Sequence, residues 1–459
     1  MVFSSIMFLF RFLPIAFLVY YIVPKRFKNL VLLISSLIFY AWGEVKYLPI
    51  MFASILVDYS CGQGIKRYGQ NPKLRKMFLI LSMVFNLGML LFFKYTNFFL
   101  DNIGGIFGTE LPRLGLTLPL GISFYTFQTM SYTIDVYLGK VEAEDNIIDF
   151  GAFVVLFPQL IAGPIVKYSD VAKELKERAI TLDQVEQGVR LFIMGVGSKV
   201  LIANNVGALW TEIEGMAVAD ISTPLAWLGA LAFSLQIYFD FSGYSLMTIG
   251  LGHMLGFRFP QNFNYPYMST SITEFWRRWH MTLGSWFREY LYFPLGGSRA
   301  GKWKTYRNLF IVWAATGFWH GASWNFVLWG LFFFLLLVIE KTWLLKKMEK
   351  HKGIARVFVL ILLLLSWMLF AITDMSRLGE YFVRMFSFTG GTDWLYYARN
   401  YGISQLLGCI LSAPVLKKFH EKWLCRHPWL EAVLLFGIMA VSTAYLVDAT
   451  YNPFLYFRF

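Results

Sequence analysis

Apolar residues fill long runs along this chain, and polar residues are confined to short intervals between them. The runs fall at about 5–23, 29–43, 47–62, 77–95, 118–138, 148–166, 189–209, 225–251, 308–340, 356–373, 402–416 and 430–448. A helix needs roughly 20 apolar residues to cross about 30 Å of hydrocarbon. The pattern predicts an all-α polytopic membrane protein with roughly ten to twelve membrane helices. Several runs are short, and 308–340 is long for one crossing. Some are therefore expected as broken, re-entrant or interfacial helices, with ten or eleven true crossings. No internal repeat is evident, which weakens an inverted-repeat transporter.

One stretch departs from the apolar pattern. From Lys167 to Arg178 the charges alternate in sign, with Asp170, Lys173, Glu174, Lys176 and Glu177 between, and Thr181-Leu182-Asp183-Gln184 follows. That alternation predicts a solvated surface helix lying along the membrane face.

Composition sharpens the class. The chain is 57% hydrophobic and 15% charged, with mean hydropathy +0.54. A soluble domain of this make-up would lack polar residues to cover its core. The formal charge of +13 would suggest nucleic acid in a soluble protein, but the basic residues cluster in short loops, where the positive-inside rule accounts for them. Lys25-Arg26-Phe27-Lys28 follows the first run, and Lys66 to Lys76 follows the third. Both loops are then cytoplasmic and the N-terminus extracytoplasmic. The loops 302–307, 346–352 and 417–426 would face the same side, and 374–400 the outside. The first run has neither a basic leader nor a small-residue cleavage site, so it reads as a retained span. Cys61, Cys409 and Cys425 show no metal-ligand spacing, and no metal site is expected.

Two histidines stand out for chemistry. His280 closes Phe275-Trp276-Arg277-Arg278-Trp279-His280, and His320 lies in Gly317-Phe318-Trp319-His320-Gly321. An imidazolium is costly in apolar surroundings, so such a place favours the neutral ring, which can accept a proton. The stretch from Trp313 to Asn325 reads as one helix. Gly317 and Gly321 would let a backbone or a substrate approach, and Trp324 would share the face of His320. Ionisable groups inside a membrane are usually functional. His280 sits at a membrane boundary, where Glu274 is spaced to pair with Arg278. Arg277, Arg278 and Arg288, with Arg299, Lys302, Lys304 and Arg307, fit two readings equally: cytoplasmic anchors, or a cationic mouth for the phosphates of an acyl carrier. Trp319 and Asn325 join the arginines as candidate substrate contacts.

Asp240, in an apolar run, needs a partner. Gln236, Tyr244 or a cation on another helix could serve, and the carboxylate could orient a histidine, touch substrate or tie helices together. Asp58, Asp135 and Lys199 lie near expected boundaries, within reach of headgroups, and receive no role. No phosphate loop, dinucleotide fingerprint or Gly-x-Ser-x-Gly elbow occurs, which removes support for ATP hydrolysis, hydride transfer and serine hydrolysis of the soluble type.

Longer motifs carry a resemblance. Phe259-Pro260-Gln261-Asn262-Phe263-Asn264-Tyr265-Pro266-Tyr267, Thr273 to His280, Trp286 to Gly297 and Gly317 to Gly321 resemble the membrane-bound O-acyltransferase family, in its bacterial subgroup that includes alginate O-acetylation proteins. Phe157 to Pro164, Phe239 to Ser245 and the terminal 452–459 are similar to it as well. Leu246 stands where many relatives carry an acidic residue, and Glu289 replaces a more usual aspartate. The resemblance implies a single membrane-embedded domain over 1–459 with its core signature at 257–330, folded as a helical bundle around a central tunnel. It implies His320 as the principal catalytic residue and His280 as the second signature residue.

The function expected from this is O-acyl transfer, with acetyl as the group moved, in a bacterial inner membrane, with no bound cofactor. The donor would be acetyl-coenzyme A or another acyl thioester. The acceptor would be a hydroxyl on an extracytoplasmic partner acetyltransferase or a cell-surface polysaccharide such as alginate. His320 would act as general base, and His280 would orient the donor or donate a hydrogen bond to the oxyanion. A transporter or flippase for a lipid-linked glycan, and a membrane scaffold for a secreted transferase, are the rival readings.

Overall fold

The computed structural model describes residues 3–299, 301–448 and Leu455. The terminal motif 452–459, Leu455 apart, lies outside the described residues. Among them the regular elements are all helices, without strands. Seven stretches among the described residues are long and apolar enough to cross a membrane, and one, Lys25–Arg67, contains two helices, Lys28–Glu44 and Leu48–Arg67. The chain is a multi-pass, all-α membrane protein. It divides into two compact units, Met1–Val189 with Thr248–Pro260, and Arg190–Met247 with Gln261–Phe459.

In the first unit, local signals set the helix ends. Asn71 starts the helix Pro72–Phe107 by accepting from the backbone N–H groups of Lys73 and Leu74, and Gly108 ends it at φ 64°. Side-chain capping and a left-handed glycine satisfy backbone groups that the helix leaves unpaired. The run 148–166 breaks, as expected for some runs, into Ile147–Val155 and Phe157–Leu160 around a non-helical Leu156. Pro158 cannot continue a helical hydrogen-bond ladder from before it. Gly121, at φ 74°, passes so close to this segment that a Cβ would lie 2.4 Å from the Leu160 carbonyl oxygen.

The helix Ile122–Tyr137 is buried on nearly every face despite carrying Ser123, Thr126, Gln128, Thr129, Ser131 and Thr133. Its hydroxyls serve a buried network. Asp58 is fully buried and accepts from Ser82 Oγ, from Asn86 Nδ2 at 2.9 Å and from Thr133 Oγ1 at 3.2 Å. Thr129 Oγ1 donates to Asn86 Oδ1 at 3.0 Å. The expectation that Asp58 reaches headgroups is therefore corrected: three neighbouring side chains solvate it inside the unit. Asp135 is corrected in the same way: it is buried, and its partner is the half-exposed Lys140 at 3.1 Å.

In the second unit, glycine sets helix approach. A Cβ on Gly195 would lie 2.6 Å from the Gly243 carbonyl oxygen, and one on Gly207 would strike Gln236. Small residues at such crossings let backbones meet, which drives packing where water supplies no hydrophobic force. The run 308–340 is two helices, Lys302–His320 and Trp324–Ile339. The expected helix through Asn325 is thus corrected. It ends at His320 because Gly321 turns to extended backbone, φ −171° and ψ 158°, and its missing Cβ leaves room for the Phe326 ring. The two helices lie against each other through Gly317 and Gly330, where added Cβ atoms would come within 2.5 Å of the Phe326 and Trp313 carbonyl oxygens.

Candidate active site

His320 ends its helix inside an aromatic enclosure. Its ring lies 4.9 Å from Trp319, 5.0 Å from Trp329 and 5.2 Å from Phe370, each close to edge-on. These contacts hold the imidazole in one orientation while adding no charge beside it. Trp324, expected on the same face, is exposed instead, because the helix stops before it. Gly317 and Gly321 are occupied by the next helix and by Phe326, so the space they leave is used for packing rather than for substrate.

His280 approaches the same indole: its ring centroid is 5.9 Å from Trp319 and 4.7 Å from Phe241. Trp319 therefore neighbours both histidines. The backbone brings His280 there by pairing two segments. Asn264 N–H donates to the Arg278 carbonyl and Met281 N–H to the Asn262 carbonyl, each at 2.9 Å. His280 itself is at φ 43°, and Tyr265 on the paired segment is at φ 46°. Left-handed backbone is uncommon outside glycine and costs about 1–3 kcal/mol, so it persists where the surroundings enforce it.

Asn262 fixes the tautomer of His280. The Thr282 main-chain N–H, which can only donate, points at Asn262 Oδ1 at 3.4 Å, and Thr282 Oγ1 donates to the same atom at 2.9 Å. Asn262 Nδ2 donates to Ser245 Oγ at 3.1 Å. The amide oxygen thus faces His280 Nδ1, 3.0 Å away, and Nδ1 must be the donor. The proton then sits on Nδ1 and the lone pair on Nε2, a buried atom with no hydrogen-bond partner among the described residues. Burial pushes this imidazole down to about 3, so the ring is neutral at ordinary pH. The expectation that His280 donates to an oxyanion is corrected here: in this tautomer Nε2 carries no hydrogen and can only accept.

The other predicted residues separate. Asp240 is tied by Lys199 Nζ at 2.6 Å and by the Leu455 N–H at 2.8 Å. Both side chains of the Lys199–Asp240 pair are almost wholly buried. Of the roles open to Asp240, this is the helix tie, and it corrects both the substrate-contact expectation and the headgroup expectation for Lys199. Asn325 Nδ2 donates to the Leu369 and Phe370 carbonyls at 3.3 and 3.0 Å. It thereby anchors the helix end that presses Phe370 onto His320, a supporting place rather than a direct substrate contact.

Glu274 and Arg278 pair at 2.8 Å, as their spacing suggests. Arg278 also lines a cleft of about 440 Å³ with Lys352, Arg356 and Lys417. Arg277 and Arg288 are exposed and do not line it. The cationic mouth drawn from sequence thus changes membership. Its distant members come from the helices Lys352–Ala371 and Val415–Lys422, which nothing in the sequence brings to Arg278. Through Asn264 and Arg278, the cleft wall is continuous with the Asn262–His280 pairing.

Comparison with known proteins identifies the family. A sequence model of the membrane-bound O-acyltransferase family matches residues 142–346, which include both histidines. The chain is 43% identical to a probable alginate O-acetylase of Azotobacter vinelandii over 86% of its own length and 79% of that protein. It is 38% identical to one of Pseudomonas putida over the full length of both. Against a peptidoglycan O-acetyltransferase of Helicobacter pylori it is 37% identical over 75% of its length and 71% of that protein. Identity sustained from end to end with such proteins, around two buried histidines on one tryptophan, places the chain in the membrane-bound O-acyltransferase family.

Proposed function

We propose that this acyltransferase is an O-acetyltransferase of bacterial cell-surface polysaccharide, working in the inner membrane with its N-terminus outside. The relatives named for alginate and peptidoglycan O-acetylation support the acetyl group and the polymer acceptor. Those names favour transfer over the flippase and scaffold readings. The observation that carries the mechanism is the pair of buried imidazoles on Trp319, one presenting a bare Nε2.

The donor is a cytoplasmic acyl thioester such as acetyl-coenzyme A. Its carrier phosphates meet Arg278, Lys352, Arg356 and Lys417, since guanidinium and ammonium groups bind phosphate strongly. His280 Nε2 accepts a hydrogen bond from an amide N–H of the carrier arm and so orients the thioester. His320 takes the proton of the attacking hydroxyl as the new C–O bond forms. The C–S bond then breaks, and the imidazolium returns the proton to the leaving thiolate. A positioned base contributes roughly 10²–10⁴-fold to such a step. The aromatic enclosure excludes water, which would otherwise hydrolyse the thioester. The hydroxyl belongs to the polysaccharide or to an extracytoplasmic partner acetyltransferase that relays the group.

The test is acyl incorporation from labelled acetyl thioester by purified full-length protein in nanodiscs. Wild type is expected to consume thioester and His320→Ala to fall to background. Undiminished turnover by a folded His320→Ala protein would refute the assignment.

A further inference from the structure

The unit Met1–Val189 with Thr248–Pro260 holds a cleft of about 640 Å³ that the transfer chemistry does not use. Lys25, Arg26 and Lys28 line it from the turn before the helix Lys28–Glu44. Lys173, Lys176 and Arg178 line it from the helix Tyr168–Lys176 and the residues after it. The alternating charges of that helix predict a solvated surface element. Its Ser169, Lys173 and Lys176 are exposed while Tyr168, Val171 and Leu175 are buried, and part of the polar face forms a cleft wall.

Two of the six cations are already engaged. Lys176 meets Asp149 at 3.0 Å and also Glu144, while Arg178 donates to Asn29 Oδ1 at 2.7 Å and to the Glu174 carbonyl at 2.9 Å. Lys25, Arg26, Lys28 and Lys173 have no ion pair with a carboxylate among the described residues. Lys28 lies over the Tyr20 ring at 4.6 Å and Arg26 over Phe27 at 4.7 Å. Asp149 and Glu177 line the cleft as well, but six cations face these two carboxylates, and the excess of like charge repels unless an anion joins it. The adjoining helix Leu13–Ile22 supplies the second observation. Ile15, Leu18 and Ile22, spaced along one face, are 63%, 62% and 72% exposed. A stripe of bare aliphatic side chains leading to a cationic cleft matches a ligand with acyl chains and a phosphate head.

We propose that this cleft binds the headgroup of an anionic phospholipid, with its acyl chains along Ile15, Leu18 and Ile22. Clusters of lysine and arginine at the ends of membrane helices bind such headgroups. The bound phosphate would clamp the Lys25–Lys28 turn to the helix Tyr168–Lys176.

Native mass spectrometry of the full chain, titrated with phosphatidylglycerol or phosphatidylcholine, tests this. Wild type is expected to retain one phosphatidylglycerol at least tenfold more tightly than phosphatidylcholine. The triple variant Lys25→Gln/Arg26→Gln/Lys173→Gln should lose that preference, and Lys25→Arg/Lys173→Arg should keep it. Arg26→Gln alone, at an exposed position, should weaken retention severalfold and serves if the triple variant unfolds. Equal retention of both lipids by wild type, or unchanged preference in a folded triple variant, would overturn the proposal. So would displacement of phosphatidylglycerol by inorganic phosphate or glycerol phosphate at submillimolar concentration, which would make the ligand a free phosphate.

Discussion

Asp58 in one unit and His280 in the other are both buried polar groups of a membrane protein, and they are treated oppositely. Around Asp58 the neighbours close the account: Ser82, Asn86 and Thr133 donate to its carboxylate, and Thr129 satisfies the Asn86 oxygen. Around His280 only one ring nitrogen is matched, through Asn262, and the other is left open. A buried polar atom without a partner costs roughly 1–3 kcal/mol, so a fold that leaves one has a use for it. The contrast is between a carboxylate whose needs are met inside the fold and an imidazole that keeps one nitrogen open.

The largest effect should come from the open side. His320→Ala should reduce acyl transfer by roughly 10²–10⁴-fold, while thermal unfolding in detergent changes little. Next comes the closed pair of the second unit. Lys199→Met or Asp240→Asn alone leaves a buried group uncompensated and should destabilise by about 3–5 kcal/mol, whereas Lys199→Met/Asp240→Leu should recover most of the loss. Recovery of stability together with activity would confirm Asp240 as a tie; recovered stability without activity would return it to the substrate.

Asp58→Ala strands several donors and should cost roughly 2–3 kcal/mol in unfolding, with turnover per folded molecule retained. Lost turnover in the folded variant would break the comparison. Asn262→Ala frees the His280 tautomer and should lower turnover by about tenfold, by the same logic that an oriented base loses rate when its partner is removed. Its diagnostic readout is a pH profile that shifts, which a purely structural role would not produce.

The last effect is a pH slope, small near neutrality. His280 has its folded value pushed down to about 3 from 6.5. The unfolded chain then binds the extra proton first, so this group's contribution to stability is complete above about pH 6.5 and is lost as pH falls toward 3. His280→Gln should flatten stability over that window, measured by unfolding at several pH values. An unchanged slope would mean that His280 is not desolvated.

Much of this was legible in the amino-acid pattern. Apolar run lengths give the helical membrane class, and Glu274 and Arg278 pair as their spacing suggests. Both histidines stand out because titratable groups are rare among so many aromatics. What sequence hides is contact across distance. Nothing in the interval between Lys199 and Asp240 says that they meet, and Asp58 looks like a boundary residue until Ser82 and Asn86 fold over it. The cleft of Arg278, Lys352, Arg356 and Lys417 is assembled from one turn and two helices far apart in the chain. The end of a helix at His320 depends on the Phe326 ring needing the place of a Gly321 side chain.

The left-handed backbone at His280 also narrows which residues could ever occupy that position. Valine, isoleucine and threonine are barred by their branching, and most other types would have to strain the paired segments. Glycine and asparagine tolerate the conformation. Asparagine is the informative replacement, because it keeps the main-chain path and offers an amide where the imidazole was. A library at this codon should therefore return folded protein from a short list of types. Only members that can still present an acceptor at the height of Nε2 should support transfer.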